Sequence, residues 1–196
     1  LRQASLRLAI ICLSDFMDKW MRRWVAYRRT LRESDVIVHV VDARDVPGTV
    51  NKELNKYQSK LLIAVNTCDL VPDSALAEAA ERLWRFKHVF VSVKSGLGMH
   101  QFYLIVKKMA KGERAKVAVV GYPNVGKSSL MNRLGRRKAA RVSPIPGETK
   151  GVQWVSVGDF LLVDTPGVVP QSEESGKVLA LKGAVRADNI PSPEPI

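Results

Sequence analysis

The stretch Val117-Ala118-Val119-Val120-Gly121-Tyr122-Pro123-Asn124-Val125-Gly126-Lys127-Ser128 joins an apolar run to a glycine-bounded loop ending in lysine and serine. A short β-branched run, a glycine loop and a helical pattern from Lys127 to Leu134 spell strand, tight turn and helix in succession. That context gives the Gly-x4-Gly-Lys-Ser spacing a physical purpose. Gly121 and Gly126 let the backbone wrap around a phosphate, while the amides of Asn124, Val125 and Gly126 and the helix N-terminus supply partial positive charge. Lys127 neutralises the outer phosphates, Ser128 offers a hydroxyl to Mg²⁺, and Ser129 completes the first helical turn. A glycine turn capped by a lysine is the bland alternative, and it leaves the strand before the loop and the motif after it unexplained.

That later motif is Asp164-Thr165-Pro166-Gly167, at the end of the apolar run Phe160 to Val163. An Asp there holds Mg²⁺ through water, and the Gly167 amide hydrogen-bonds a γ-phosphate. Alone, Asp-x-x-Gly is a common turn. Paired with the cradle it becomes a second phosphate-sensing loop. Between the two lie the basic run Arg133 to Arg141 and the glycine- and proline-containing stretch Pro144 to Thr149, whose Thr149 hydroxyl completes the expected Mg²⁺ shell. The basic run is either a solvated loop or an RNA contact.

Upstream of the cradle, apolar runs at Val36 to Val41, Leu61 to Val65 and Val89 to Val93 alternate with helical patterns at Thr49 to Gln58, Asp73 to Arg85 and Gly98 to Lys111. Strand alternating with helix predicts an α/β fold with a doubly wound parallel sheet. Val152 to Val157 and Phe160 to Val163, joined by Gly158-Asp159, predict a hairpin that adds one antiparallel strand at the edge. The expected architecture is a three-layer sandwich around a mostly parallel, six-stranded sheet, with ligands beyond the carboxyl ends of the strands.

Two further strand ends open on that side. Asn66-Thr67-Cys68-Asp69 follows one run, and Ser92-Val93-Lys94 follows another. A carboxylate at Asp69 accepts from the N1–H and exocyclic amine of guanine, donors that adenine lacks there, and a buried carboxylate facing adenine would be left unpaired. Asn66 braces base and loop, and a backbone amide near Val93 donates to the guanine O6. Each short match is feeble singly, and a surface turn explains either one alone.

Together these pieces resemble the five motifs of the Ras-like translation-factor GTPases, but in the order base motif, second base motif, phosphate loop, Thr loop, Asp-x-x-Gly. That is the order of the circularly permuted GTPases, and the chain resembles their YlqF/YawG family of ribosome-assembly proteins over about residues 30 to 185. Ser34-Asp35 and Asp42-Ala43-Arg44-Asp45-Val46-Pro47 add to the likeness. The resemblance implies GTP and GDP as ligands with Mg²⁺, slow GTP hydrolysis, and RNA of the large ribosomal subunit as partner. It also implies a potassium ion at Asn124, acting where an arginine finger would, and a catalytic group of Lys127, Thr149, Gly167 and Asn124. The sequence departs from the pattern at three places. Thr67 stands where a lysine stem usually covers the guanine ring, predicting weaker binding without adenine preference. Val168 follows Gly167 where a water-orienting Gln is frequent in the superfamily. The sequence ends at Ile196 where relatives commonly carry an RNA-binding domain, which leaves a short form or a chain whose basic surfaces do that work.

The remaining composition agrees. The 196 residues are 46% apolar and 26% charged, as in a globular protein, and 31 Lys and Arg against 19 Asp and Glu give a net charge of +12. Such an excess makes a polyanion the first suspect as partner. Cys12 and Cys68 are too few for a disulfide framework, which predicts a cytoplasmic protein. The apolar run Leu8 to Leu13 is too short to span a bilayer or to serve as a leader, so neither a membrane nor secretion is expected. Apolar residues from Leu6 to Leu31 at helical spacing predict a long N-terminal helix packed on the rest. The expected organisation is this extension (1–33), a nucleotide domain (34–185) with a C-terminal helix around Val178 to Ala184, and a tail or linker (186–196), acting as a monomer. Rival readings are a nucleotide switch acting on a protein partner without RNA, and an ATP-dependent kinase or ATPase using the same loop.

Overall fold

The computed structural model describes residues 24–110, 112, 114–137, 155–157 and 160–164. Residues 24–33 form helix α1. Then follow strand β1 (Val36–Asp42), a single helical turn α2 (Val46–Thr49), β2 (Leu61–Asn66), α3 (Asp73–Arg82), β3 (Lys87–Phe90), α4 (Met99–Met109), β4 (Ala115–Val120), α5 (Lys127–Arg137), β5 (Val155–Val157) and β6 (Phe160–Asp164).

Every residue of β1 and β2 is buried, so these largely apolar runs are those of central parallel strands covered on both faces. The six strands lie in the order β3-β2-β1-β4-β6-β5. All neighbours are parallel except β5 with β6, where Ser156 faces Leu161 across an antiparallel edge. The predicted hairpin is therefore present as two paired strands, while its turn at Gly158-Asp159 lies outside the described residues. At the centre, β1 pairs with β2 through His39 and Ile63, and with β4 through His39 and Val120. From β1 the chain winds outward to β2 and β3, and from β4 it crosses to the other side, reaching the edge strand β5 first and returning as β6 between β5 and β4. The direction reverses between β1 and β4, which makes their carboxyl ends the place where such sheets bind ligands.

Side chains alternate between two cores. Val36, Val38, Val40, Val117 and Val119 face α4 and α5 through Phe102, Val106, Leu130 and Leu134. Ile37, Val41, Ile63, Val65 and Val120 face the opposite layer, built by Ala79 and Leu83 around α3, Leu54, and Trp24, Tyr27 and Leu31 of α1. The part of the predicted N-terminal helix before residue 24 lies outside the described residues.

Two predicted elements depart most from expectation. The expected helix Thr49 to Gln58 is instead α2 followed by 3-10 turns over Lys52–Lys60, with a break at Tyr57. Side chains compete with the helical ladder here: Asp45 accepts from the Gly48 amide at 2.9 Å and Asn51 from the Glu53 amide at 2.9 Å, restarting the chain each time. The strand expected at Val89 to Val93 runs from Lys87 to Phe90. Val91 still donates to the Val65 carbonyl at 2.8 Å, but Ser92 donates to Leu97 at 3.0 Å, so Ser92 and Val93 belong to a turn at the strand end.

Candidate functional site

The loop after β4 is shaped by close backbone approach. Gly121 has φ +148, and a Cβ there would lie 2.3 Å from the Val40 carbonyl oxygen of the adjacent strand. Gly126 has φ +99, and a Cβ there would lie 2.3 Å from Asn66 Nδ2. Glycine is thus required at both ends of the loop, once by β1 and once by Asn66 at the end of β2. Between them Asn124 adopts φ 63, a left-handed conformation that asparagine tolerates better than most residues. Leu130 donates to the Gly126 carbonyl at 2.9 Å, so α5 begins as the loop ends and its N-terminus points back into the turn. The Lys127 side chain is buried, its ammonium donating to the Tyr122 carbonyl at 2.5 Å.

Asn66 connects this loop to both strand ends beside it. Its Nδ2 donates to the Val125 carbonyl at 2.9 Å, and its Oδ1 accepts from the Val93 amide at 3.1 Å. One buried side chain therefore fastens three segments far apart in sequence. The Val93 amide is engaged by Asn66, so the donor expected near Val93 would come from a neighbouring residue of the turn. The turn is pinned internally, with Ser92 Oγ accepting from the Ser95 amide at 3.1 Å.

The three segments line one cavity of about 830 Å³. Its walls include Asn66, Thr67 and Asp69 from the first loop, Ser92, Val93 and Lys94 from the second, and Asn124, Val125, Gly126 and Ser129 from the third. Lys127 and Ser128 open the helix directly behind it. Asp164 ends β6 opposite Val119 of β4, which sets its backbone beside the strand that feeds the loop. Thr149 and Gly167 lie outside the described residues, as do Val168 and the expected C-terminal helix.

Thr67 is not idle. Held at φ 62, it directs its hydroxyl to Asp42 Oδ1 at 2.8 Å and to the Asn66 carbonyl at 2.5 Å. Burial pushes the Asp42 carboxyl up, but bonds from the Arg44 guanidinium and amide and from Thr67 hold it below its ordinary range. Arg44 binds it with both Nε, at 2.9 Å, and Nη2, at 2.7 Å. This Asp42–Arg44–Thr67 group was not assigned a role from sequence, where Asp42-Ala43-Arg44 counted only toward a likeness. Asn132 and Arg133 of α5, which also line the cavity, were missed because a solvated helix face and a lining face look alike in one sequence.

A glycine-framed phosphate cradle at the N-terminus of a helix, placed beside two base-motif loops that precede it in the chain, defines a nucleotide-binding domain of permuted GTPase type. Residues 116–191 match the family model described as a 50S ribosome-binding GTPase. Nucleolar GTP-binding protein 2 of Saccharomyces cerevisiae is 33% identical over 188 residues, an alignment covering 88% of this chain and 39% of that protein. These matches are those of a GTPase domain and are consistent with the circularly permuted GTPases that the motif order resembles. An uncharacterised GTP-binding protein of Methanocaldococcus jannaschii is 38% identical over 175 residues, covering 85% of this chain and 46% of the relative. Among solved structures, GNP-bound YlqF from T. maritima shares the fold with a TM-score of 0.60 at 23% identity, covering 84% of this chain and 67% of that one. The chain thus spans less than half the length of the curated relatives it matches.

Proposed function

We propose that the chain binds GTP across this cavity and hydrolyses it to GDP and phosphate, and that it serves the assembly of the large ribosomal subunit by binding its RNA. The observation that carries the nucleotide reading is the Asn66 bridge, which brings Asp69 and the loop before Lys127 onto one cavity. In this reading Asp69 receives the guanine edge, Ser92 and Lys94 flank it, and the loop amides from Asn124 to Gly126 hold the phosphates.

Chemistry is positioning and charge neutralisation, with no covalent intermediate. Mg²⁺ would be held by hard oxygen donors, the hydroxyls of Ser128 and Thr149 and the carboxylate of Asp164. When bound it neutralises charge developing on the phosphate oxygens. Lys127 leaves the Tyr122 carbonyl for the outer phosphates, and the Gly167 amide senses the γ-phosphate. Asn124, left-handed at the cavity wall, is proposed to ligate potassium, so exchanging sodium for potassium is expected to raise turnover. Equal rates in the two salts would remove Asn124 from the catalytic group.

Support for a ribosomal role comes from the family model's description, from relatives named nucleolar GTP-binding proteins, and from the net charge of +12. Competition between guanine and adenine nucleotides is the deciding experiment. GTP and GDP should displace a fluorescent guanine nucleotide far better than ATP and ADP, and Asp69→Asn should erase about two orders of magnitude of that preference while leaving phosphate affinity intact. A wild-type chain that binds ATP equally well overturns the guanine assignment.

A further inference from the structure

We propose that Arg133 is a positioning residue of the base pocket: from α5 it clamps the 92–96 turn, and so sets selectivity for the guanine ring independently of the phosphate grip. Its Nη1 donates to the Val93 carbonyl at 2.7 Å and to the Lys94 carbonyl at 3.1 Å. Nη2 lies against Gly96, where a Cβ would be 2.3 Å away, so the guanidinium occupies the space a side chain at residue 96 would need. Arg133 also lines the cavity itself.

The helix that begins in the phosphate cradle is thereby tied to the second base loop at two levels. Asn66 holds the Val93 amide from the inner side, and Arg133 holds the Val93 and Lys94 carbonyls from the outer side. Both polar groups of Val93 are used, so the peptide on each side of its Cα is held by one bond. Nη1 takes both carbonyls while Nη2 of the same planar fork packs against Gly96, a shape that a lysine ammonium on a flexible stem does not reproduce. The clamp matters more here because Thr67, bonded to Asp42, offers no long stem over a base. Recognition then rests on Asp69 and on the backbone of the 92–96 turn, whose placement has to be held to a fraction of an ångström.

This inference rests on the guanine site proposed above. Its test uses the full chain and its Arg133→Gln and Arg133→Lys variants, with binding measured for GDP, ADP and inorganic pyrophosphate. Arg133→Gln should lower GDP affinity about tenfold, the loss expected for charge-assisted bonds, and leave pyrophosphate affinity unchanged. Arg133→Lys, which keeps charge and stem but loses the fork, should lose most of the same preference and decides the matter if the Gln variant folds poorly. Hydrogen exchange should quicken at the amides of residues 92–98 in both variants, with β4 still protected. GDP and pyrophosphate affinities falling together, or a GDP preference surviving in both variants, overturns the clamp and leaves the guanine site standing. A wild-type chain indifferent to GDP and ADP overturns the guanine site, and the clamp with it.

Discussion

Asn66 concentrates more of the site than any other residue, because both its carbonyl and its amide are spent on backbone groups of other segments. Replacing it with alanine leaves the Val125 carbonyl and the Val93 amide buried without their partner. Each such orphan costs on the order of 1–3 kcal/mol, so Asn66→Ala should destabilise the fold by about 2–4 kcal/mol in denaturant titration. A loss below about 0.5 kcal/mol, the scale of ordinary surface changes, would mean that the bridge is not made in solution. Asn-x-x-Asp was legible in the sequence as a base motif. The engagement of the Val93 amide was not, since a hydrogen bond between residues 27 apart depends on where two loops are carried by the sheet.

At the level of elements, β1 carries the least expected group. His39 sits at the centre of the sheet, and both its ring nitrogens lack a hydrogen-bond partner among the described residues. Burial outweighs the opposing influence of the Thr49 backbone and, with a smaller push from Lys127, brings its pKa from 6.5 down to about 4. The unfolded chain therefore takes up a proton at higher pH than the folded one. Stability is intact above about pH 6.5 and declines as pH falls toward 4, by roughly 3 kcal/mol for this group at 1.36 kcal/mol per unit. Unfolding free energies measured across that window should show the decline, and His39→Leu should flatten it. An unchanged profile in the variant would assign the acid sensitivity elsewhere. Asp42 does not confuse the result: its depressed carboxyl adds stability that is present above the ordinary carboxylate range and is lost only at lower pH. Strand identities were readable because β1, β2 and β4 are dominated by apolar residues. The 3-10 turns at Lys52–Lys60 were not, because capping by Asn51 overrides a helical pattern that looks continuous.

Across the whole molecule, two properties meet: a sheet whose winding reverses beside the candidate site, and a chain carrying a net charge of +12. If the partner is RNA, binding of ribosomal RNA should weaken steeply with salt, log K falling against log salt with a slope of about −0.7 to −0.9 for each phosphate neutralised. Affinity that barely responds to salt would favour the switch acting on a protein partner. The permuted chain order is compatible with the fold because a sheet is stabilised by which strands adjoin, and here β1 and β4 adjoin through four residue pairs despite their separation in sequence.

The amino-acid order alone was sufficient for the strand–helix alternation, the phosphate loop and the permuted arrangement of motifs. These are local matters: runs of apolar side chains, glycines at fixed spacing, and charged groups beside them. Only the tertiary structure decided that Thr67 turns to Asp42, that Asn66 occupies the Val93 amide, and that Arg133 reaches the carbonyls beyond it. Those contacts join residues distant along the chain, and their partners are chosen by how the strands bring loop ends together rather than by any neighbour in sequence.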